Sequence, residues 1–262
     1  MTDVEALLRQ WRAAETAQGP GWDFSALAEV MSEDETPWDL DAEYRQALAE
    51  ATGVLDMGTG GGEHLLRYAD LLPSDTVATE GWAPNIPVAR QALGAIGVPV
   101  VEFGAPDTAP DSERMPFPDG RFDLVLNRHE SYSPREVARV LAPGGALLTQ
   151  QVGSGELSEL HALMDWTPAD LDVTFERFAS EAEDAGLVLE RADRFDGRYR
   201  FADVRALIRY LNQVPWDAPD DFTVDRYADA LLHLHAAADG EPVELGMRRF
   251  RLLARKPAQP LR

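Results

Sequence analysis

The sequence predicts an α/β fold: a mostly parallel sheet with helices on both faces. From residue 53 onward, short apolar runs alternate with segments of helical periodicity, which is the pattern of βα units. The second observation is a glycine-rich stretch, GTGGG at 58–62, that directly follows the apolar run GVLDM. A glycine-rich turn between a strand and a helix is typical of ligand sites in open α/β sheets.

The βα pattern defines most of the predicted elements. Apolar runs predict strands at 53–57, 76–80, 98–103, 122–127 and 145–152, and helical periodicity predicts helices at 62–71, 85–96 and 134–141. The segment 104–121 contains four prolines and shows no periodicity. Because so long an irregular connection is usually functional, we expect a ligand-binding loop there.

The flanking regions add helices to this sheet. Helices are predicted at 2–17, 39–51, 168–185, 203–213 and 223–238, and strands at 187–195 and 248–256, which brings the sheet to seven strands. No clean linker interrupts the chain. We therefore predict an N-terminal helical lid segment at 1–48 and one domain at 49–262. That domain comprises a cofactor half (50–155) and a substrate-side half (156–262), with a helical insert at 203–238 before the last strand.

Composition limits the function. The chain has 262 residues, 45% of them hydrophobic, and a formal net charge of −22. Because nucleic-acid binding depends on neutralising phosphates with cations, so acidic a chain is not expected to bind nucleic acid. The absence of cysteine excludes disulfides, cysteine-ligated zinc and a thiol nucleophile.

The sequence also bears on location and metals. Its first residues are acidic and lack the apolar core of a signal peptide, and no window approaches 18 apolar residues. We therefore expect a cytoplasmic protein without a membrane span. No metal-ligand spacing stands out, so no metal is predicted, and the oligomeric state is not indicated.

Two ligand classes compete for the glycine-rich stretch. Dinucleotide sites favour G-x-G-x-x-G, but Glu63 stands where the third glycine belongs. The sequence instead has D-x-G-x-G-x-G, formed by Asp56, Gly58, Gly60 and Gly62. An acid beside the loop disfavours a diphosphate and favours a cationic ligand.

This spacing resembles motif I of the class I S-adenosylmethionine-dependent methyltransferases. Three further segments are similar to that family in the expected order: VATEG (77–81), DSERMPFPDGRFDLVLNRH (111–129) and EVARVLAPGGALLTQQV (136–152). The resemblance covers roughly residues 50–155. It implies a Rossmann-like fold, S-adenosylmethionine as the cofactor and S-adenosylhomocysteine as the product.

The resemblance also implies roles for individual residues. Asp56 and the loop flank the methionine moiety, Glu80 binds the ribose hydroxyls, and Trp82 stacks on adenine. Asp111, with Asp107 as its alternative, and the Ser112 amide read the adenine. The cofactor set is Asp56, Gly58, Thr59, Gly60, Gly62, Glu80, Gly81, Trp82, Asp111, Ser112 and Asn127.

Catalysis leaves a faint sequence signature, because methyl transfer from a sulfonium mainly requires alignment of donor and acceptor. The best candidate is Arg128-His129-Glu130, just past the fourth strand, with roles given to Arg128 and His129. His129 has a side chain suited to general-base catalysis at neutral pH, or it contacts the cofactor or holds the loop. Arg128 binds an acidic substrate group or pairs with a nearby acid.

Aromatic residues outside the resemblance are candidates for the substrate pocket. Trp38, Tyr44 and Trp216 are suited to cover a small organic acceptor, or they seal a second hydrophobic core.

The sequence therefore predicts methyl transfer to an O, N or C nucleophile of a small molecule. The alternatives are a non-catalytic cofactor-binding protein, a protein or RNA methyltransferase, and a nicotinamide-dependent oxidoreductase, which Glu63 disfavours.

Overall fold

A computed structural model describes residues 4–16, 27–106, 109–168 and 171–258, and within them the α/β fold is confirmed. The strands are β1 (Met31–Glu33), β2 (Gly53–Met57), β3 (Asp75–Glu80), β4 (Val100–Glu102), β5 (Phe122–Arg128), β6 (Leu141–Val152), β7 (Val188–Phe201) and β8 (Val243–Arg255). The helices are α1 (Val4–Glu15), α2 (Leu40–Leu48), α3 (Glu63–Leu66), α4 (Ile86–Gly94), α5 (Pro134–Val140), α6 (Ser158–Leu163), α7 (Phe175–Asp184), α8 (Val204–Gln213) and α9 (Ala228–Ala238).

The strand order is β1-β7-β8-β6-β5-β2-β3-β4. Strands β6, β5, β2, β3 and β4 pair in parallel, whereas β8 runs antiparallel to β6. Strand β2 lies between β5 and β3, and all five of its residues are buried. Helices cover both faces of such a strand, which explains why its adjacent residues Val54 and Leu55 are both apolar.

The chain packs as two compact units. The first comprises Met1–Thr36, Ser154–Leu171 and Asp196–Arg248, and the second comprises Pro37–Gly153, Asp172–Phe195 and Arg249–Arg262. The second unit contains the parallel strands and the glycine-rich stretch. Each unit gathers segments that are distant in sequence, which local patterning does not reveal. The predicted division after residue 48 stays a prediction.

Within the second unit, the alternation of strand side chains builds a core on each face of the sheet. Leu55, Val125 and Leu147 belong to one buried cluster, together with residues of α5 and α7. The neighbouring Val54 and Leu126 belong to another, together with residues of α2. The period of two in strands therefore divides consecutive residues between two cores.

The element boundaries differ from the prediction at several points. The sheet has eight strands among the described residues rather than seven, because the three-residue β1 pairs with β7. Strand β7 continues to Phe201, and β8 already begins at Val243. The helix predicted at 62–71 is helical only over α3. The helix predicted at 168–185 begins at Phe175, because the Thr174 side chain caps it by accepting from the Arg177 amide.

None of the helices that the structure describes is long and apolar enough to cross a membrane.

The central packing predicts the stability of a core variant. Leu126 in β5 is fully buried, whereas Leu171 is exposed. We expect Leu126→Ala to lower the free energy of unfolding by about 2–5 kcal/mol, because it leaves a cavity among close-packed side chains. Leu171→Ala, the matched control, should change it by less than about 0.5 kcal/mol. Urea denaturation measures both, and equal effects would contradict the assigned core.

Candidate active site

The glycine loop, residues 58–62, begins where β2 ends. Its Thr59 amide donates to the carbonyl of Thr79 in β3 at 2.9 Å, which holds the loop against the neighbouring strand. Gly58 and Gly60 have φ values of 62° and 63°, in the left-handed region that favours glycine. The loop therefore exposes main chain, rather than side chains, at the carboxyl edge of the sheet.

Glu80, at the end of β3, joins this loop to the next one. One carboxylate oxygen accepts from the Gly60 amide and the other from the Trp82 amide, each at 2.7 Å. The residue is buried, and desolvation raises its pKa above the ordinary value. Trp82 beside it remains 47% exposed, so a large aromatic surface adjoins a buried carboxylate.

Asp56 is a second buried carboxylate at this edge. Burial raises its pKa to about 7, and the negative charge of Glu80 adds to that effect. The neighbouring Thr59 hydroxyl is buried beside this carboxylate and partly offsets the rise in its pKa. An ionised Asp56 and the Thr59 hydroxyl therefore suit a ligand that brings a cation and a polar group.

Asn127 lies at the end of β5 with its side chain fully buried. Its Nδ2 donates to the Glu130 carbonyl at 3.1 Å, and its Oδ1 accepts from Gln151 Nε2 at 2.6 Å and Thr149 Oγ1 at 3.1 Å. Its carbonyl accepts from the Tyr44 hydroxyl at 3.2 Å. The Asn127 side chain thus holds the turn at 128–130. Its position near the methionine moiety of the cofactor stays a prediction.

His129 occupies a strained position in that turn, with φ of 63°. Its amide donates to the Gln150 carbonyl at 2.9 Å, and its Nε2 lies 3.2 Å from Gln150 Nε2. The residue is exposed to solvent, and desolvation of the packed part of the ring, with the positive charges of Arg128 and Arg249, lowers its pKa from the ordinary value. The ring is therefore neutral at pH 7, and its lowered pKa makes it a weaker base than an ordinary histidine. General-base catalysis was predicted from the ordinary pKa. That role stays a prediction.

Glu130 contributes a carboxylate to which sequence analysis assigns no role. A Cβ atom added to Gly58 would lie 2.5 Å from Glu130 Cβ, and one added to Gly104 would lie 3.5 Å from Glu130 Oε1. Glu130 thus packs directly over the glycine loop. The only sequence signal was its place beside His129, because contact between these segments depends on the alignment of β2 and β5.

The residues predicted on the adenine side contact other parts of the protein. Gly81 approaches Gly104 so closely that an added Cβ would lie 2.7 Å from the Gly104 Cα. Asp111 accepts a hydrogen bond from the Ser133 hydroxyl, and the Ser112 amide donates to the Ala109 carbonyl at 2.9 Å. Both polar groups already have partners in the protein. The alternative, Asp107, lies outside the described residues.

The predicted substrate residues occupy three different settings. Trp38 is buried, and its indole N–H donates to Gln150 Oε1 at 2.8 Å. Tyr44 is only 1% exposed and packs against His64 and Tyr68. Trp216 is 53% exposed in the 3₁₀ turn Pro215–Asp217 of the first unit. Their roles toward a substrate stay predictions.

Groups of three or more His, Asp or Glu side chains arranged to hold a metal ion do not occur in the part of the chain that the structure describes.

The segment that contains this site is similar to a known protein family. A family model described as a methyltransferase domain matches residues 55–149. That segment is therefore similar to methyltransferase domains. It spans β2 to β6 and includes the glycine loop, Glu80 and His129. The resemblance to class I methyltransferases is confirmed, and the cofactor that this domain implies is S-adenosylmethionine, with S-adenosylhomocysteine as the product.

Two curated relatives are methyltransferases by name. The chain is 32% identical over 120 residues to the malonyl-[acyl-carrier protein] O-methyltransferase of Geobacter sulfurreducens, covering 43% of each protein. It is 34% identical over 103 residues to the demethylmenaquinone methyltransferase of Thermus thermophilus, covering 36% of this chain and 44% of that protein. The chain thus spans less than half the length of these relatives.

Solved structures support the fold. A crystal structure of a putative methyltransferase from Bacillus halodurans has a TM-score of 0.59 and is 21% identical, covering 84% of this chain and 99% of that one. At this identity the likeness establishes the methyltransferase-like fold and not a substrate.

The raised pKa of Asp56 predicts a pH effect on stability. Between about pH 4, the ordinary aspartate value, and about pH 7, the folded protein binds more protons at Asp56 than the unfolded chain. This stabilising contribution is present at low pH and is lost as the pH rises to about 7.

Asp56→Asn removes that contribution. Its free energy of unfolding relative to wild type should therefore increase with pH, by up to about 1.4 kcal/mol per unit between pH 5 and 7. Above about pH 7.5 the difference should stay constant. Urea denaturation of both proteins at several pH values measures it, and a difference independent of pH would show that Asp56 titrates normally.

Proposed function

We propose that the protein is an enzyme that transfers the methyl group of S-adenosylmethionine to an O, N or C nucleophile of a small molecule. The proposal rests on two buried carboxylates that lie beside the glycine loop. Asp56 lies directly before the loop, and Glu80 accepts a hydrogen bond from its Gly60 amide. The methyltransferase domain over residues 55–149 supplies the reaction class.

The residues at this edge fit the cofactor. When bound, S-adenosylmethionine supplies an electrophilic methyl group on a sulfonium, which is a good leaving group. Asp56 would balance its positive charge, and binding a cation would lower the raised pKa of that carboxylate. Each Glu80 oxygen has a further lone pair for a ribose hydroxyl. The Thr59 hydroxyl beside Asp56 is a further polar group for the ligand.

The substrate class follows from weaker support. The two curated relatives are named for methylation of a malonyl group and of a demethylmenaquinone, and neither name refers to nucleic acid. The net charge of −22 opposes binding to phosphate backbones. We therefore favour a small-molecule acceptor over RNA. A cytoplasmic location remains a prediction from the sequence.

Calorimetric titration with S-adenosylmethionine and S-adenosylhomocysteine tests the cofactor site. We expect micromolar binding by the wild type and a loss of about 10- to 100-fold in Glu80→Ala, because hydrogen bonds to a charged group contribute about 1.5–3 kcal/mol. Glu80→Gln, which keeps size and one acceptor oxygen, should be intermediate. The exposed Glu183→Gln is the control and should bind as the wild type does. Equal affinity in all four proteins would contradict the site.

Transfer of a labelled methyl group separates an enzyme from a non-catalytic cofactor-binding protein. The protein would be incubated with tritium-labelled S-adenosylmethionine and a panel of small carboxylates, phenols and amines. Label retained on an acceptor, and lost with Glu80→Ala, supports the enzyme. Tight cofactor binding without retained label on the panel or on RNA or protein fractions would favour the non-catalytic alternative.

A further inference from the structure

A short hydrogen-bond chain determines which nitrogen of His129 carries the proton. The Trp38 indole N–H can only donate, and it donates to Gln150 Oε1 at 2.8 Å. The amide NH₂ of Gln150 therefore faces His129, with Nε2 to Nε2 at 3.2 Å. Because an amide nitrogen donates and does not accept, His129 Nε2 is the acceptor. The neutral ring then carries its proton on Nδ1.

This tautomer changes what His129 offers to a ligand. Its basic lone pair, on Nε2, is already engaged by Gln150, while the Nδ1–H has no partner among the described residues. The low pKa of the ring keeps it neutral at pH 7. In this arrangement His129 is a hydrogen-bond donor to a ligand and not a base.

The turn around His129 is held in place despite its strain. The amide of Gln150 on one side and the Asn127 contact to the Glu130 carbonyl on the other fix residues 128–130. Trp38 and Gln150 are both buried, so the chain that orients the ring is shielded from water. Strained residues that are held this firmly concentrate at functional sites.

Arg128 places a positive charge beside this donor. The residue is exposed and forms no ion pair with the described residues, although acidic residues outnumber lysine and arginine by 46 to 24. Its charge lowers the pKa of both His129 and His64. By contrast, Arg139 pairs with both Glu136 and Asp119.

The pair also borders the glycine loop. Glu130, the next residue, packs against Gly58, and His64 belongs to the first turn after the loop. A ligand group bound by residues 128 and 129 would therefore lie next to the loop that we assign to the methyl donor. An exposed guanidinium and an N–H on adjacent residues are both donors that suit a carboxylate, which accepts several hydrogen bonds.

We propose that Arg128 and the Nδ1–H of His129 bind a carboxylate group of the methyl acceptor. The inference rests on the proposed function and names its substrate class: a small carboxylic acid. Trp38 and Gln150 are positioning residues, because they act through the His129 ring.

Binding to the protein loaded with S-adenosylhomocysteine tests the carboxylate site. The probes are two matched pairs, benzoate with benzamide and octanoate with octanamide, measured by ligand-observed NMR. We expect each carboxylate to bind at least tenfold more tightly than its amide, and Arg128→Gln to remove that preference. Arg135→Gln removes an exposed arginine of α5 and is the control, which should keep the preference. Equal binding of acid and amide, or no binding of either acid, would overturn the proposal.

The same titrations test the cofactor site and the carboxylate site separately. If the wild type did not bind S-adenosylhomocysteine, that result would contradict the proposed function. Retained cofactor binding without a carboxylate preference would contradict only the carboxylate site.

Variants of His129 separate a donor from a base. Asn places an N–H near the position of Nδ1 and tolerates a left-handed φ, so His129→Asn should keep most of the carboxylate affinity. His129→Leu should lower it at least tenfold. A residue acting only as a base would leave binding of an already ionised carboxylate unchanged in both variants, and that result would overturn the donor role.

The tautomer itself has a spectroscopic signature. Two-bond ¹H–¹⁵N correlation spectra should show neutral His129 protonated at Nδ1 in the wild type. Trp38→Phe removes the N–H that orients Gln150, so its spectra should show a mixture of tautomers. Protonation at Nε2 in the wild type would overturn the assignment.

Discussion

The site depends on one interaction, the contact of the Glu80 carboxylate with the amides of Gly60 and Trp82. It joins the loop after β2 to the loop after β3. Both strands run parallel and end at the same edge, so a single carboxylate reaches both amides. The positive-φ glycines leave the main chain bare there, and any ligand at this edge meets a carboxylate whose position is fixed by two hydrogen bonds.

The electrostatics of the edge follow from that arrangement. The charge of Glu80 disfavours ionisation of the buried Asp56, and Glu130 packs over the same loop. Like charges at one site favour a cationic ligand, which relieves their repulsion. In the turn that follows β5, Arg128 supplies an exposed positive charge, and we propose that it acts with the His129 N–H. The two halves thus suit a cationic donor and an anionic acceptor.

The sequence predicted the scaffold better than the site. Strand β2 has the predicted bounds, and the order of strands and helices from 53 to 152 is confirmed, because period-two and period-3.6 patterns are local properties. The acid at 80 and the loop at 58–62 were also identifiable, since their spacing carries the family resemblance. Small strands such as β1, and the early ends of helices such as α3, depend on packing partners that a local pattern does not include.

The polar contacts of the site were not predictable from the sequence. Trp38 and Gln150 are 112 residues apart, and Tyr44 meets the Asn127 carbonyl across 83 residues. Trp38 and Tyr44 were candidates for substrate binding because they are aromatic, yet both are buried with their polar atoms paired. The proton position on His129 depends on a third residue, Trp38, and only the assembled sheet brings these side chains into contact.

The carboxylates of Asp56 and Glu80 are proposed to bind a cationic ligand. The pKa of Asp56, with and without that ligand, tests this proposal most directly. ¹³C NMR of the Asp56 carboxyl group, with Asp56→Asn to assign the signal, would follow its titration with and without S-adenosylmethionine. The account predicts a pKa of about 7 in the free protein and a clearly lower value in the complex. An ordinary pKa in the free protein, or no change on addition of saturating S-adenosylmethionine, would contradict it.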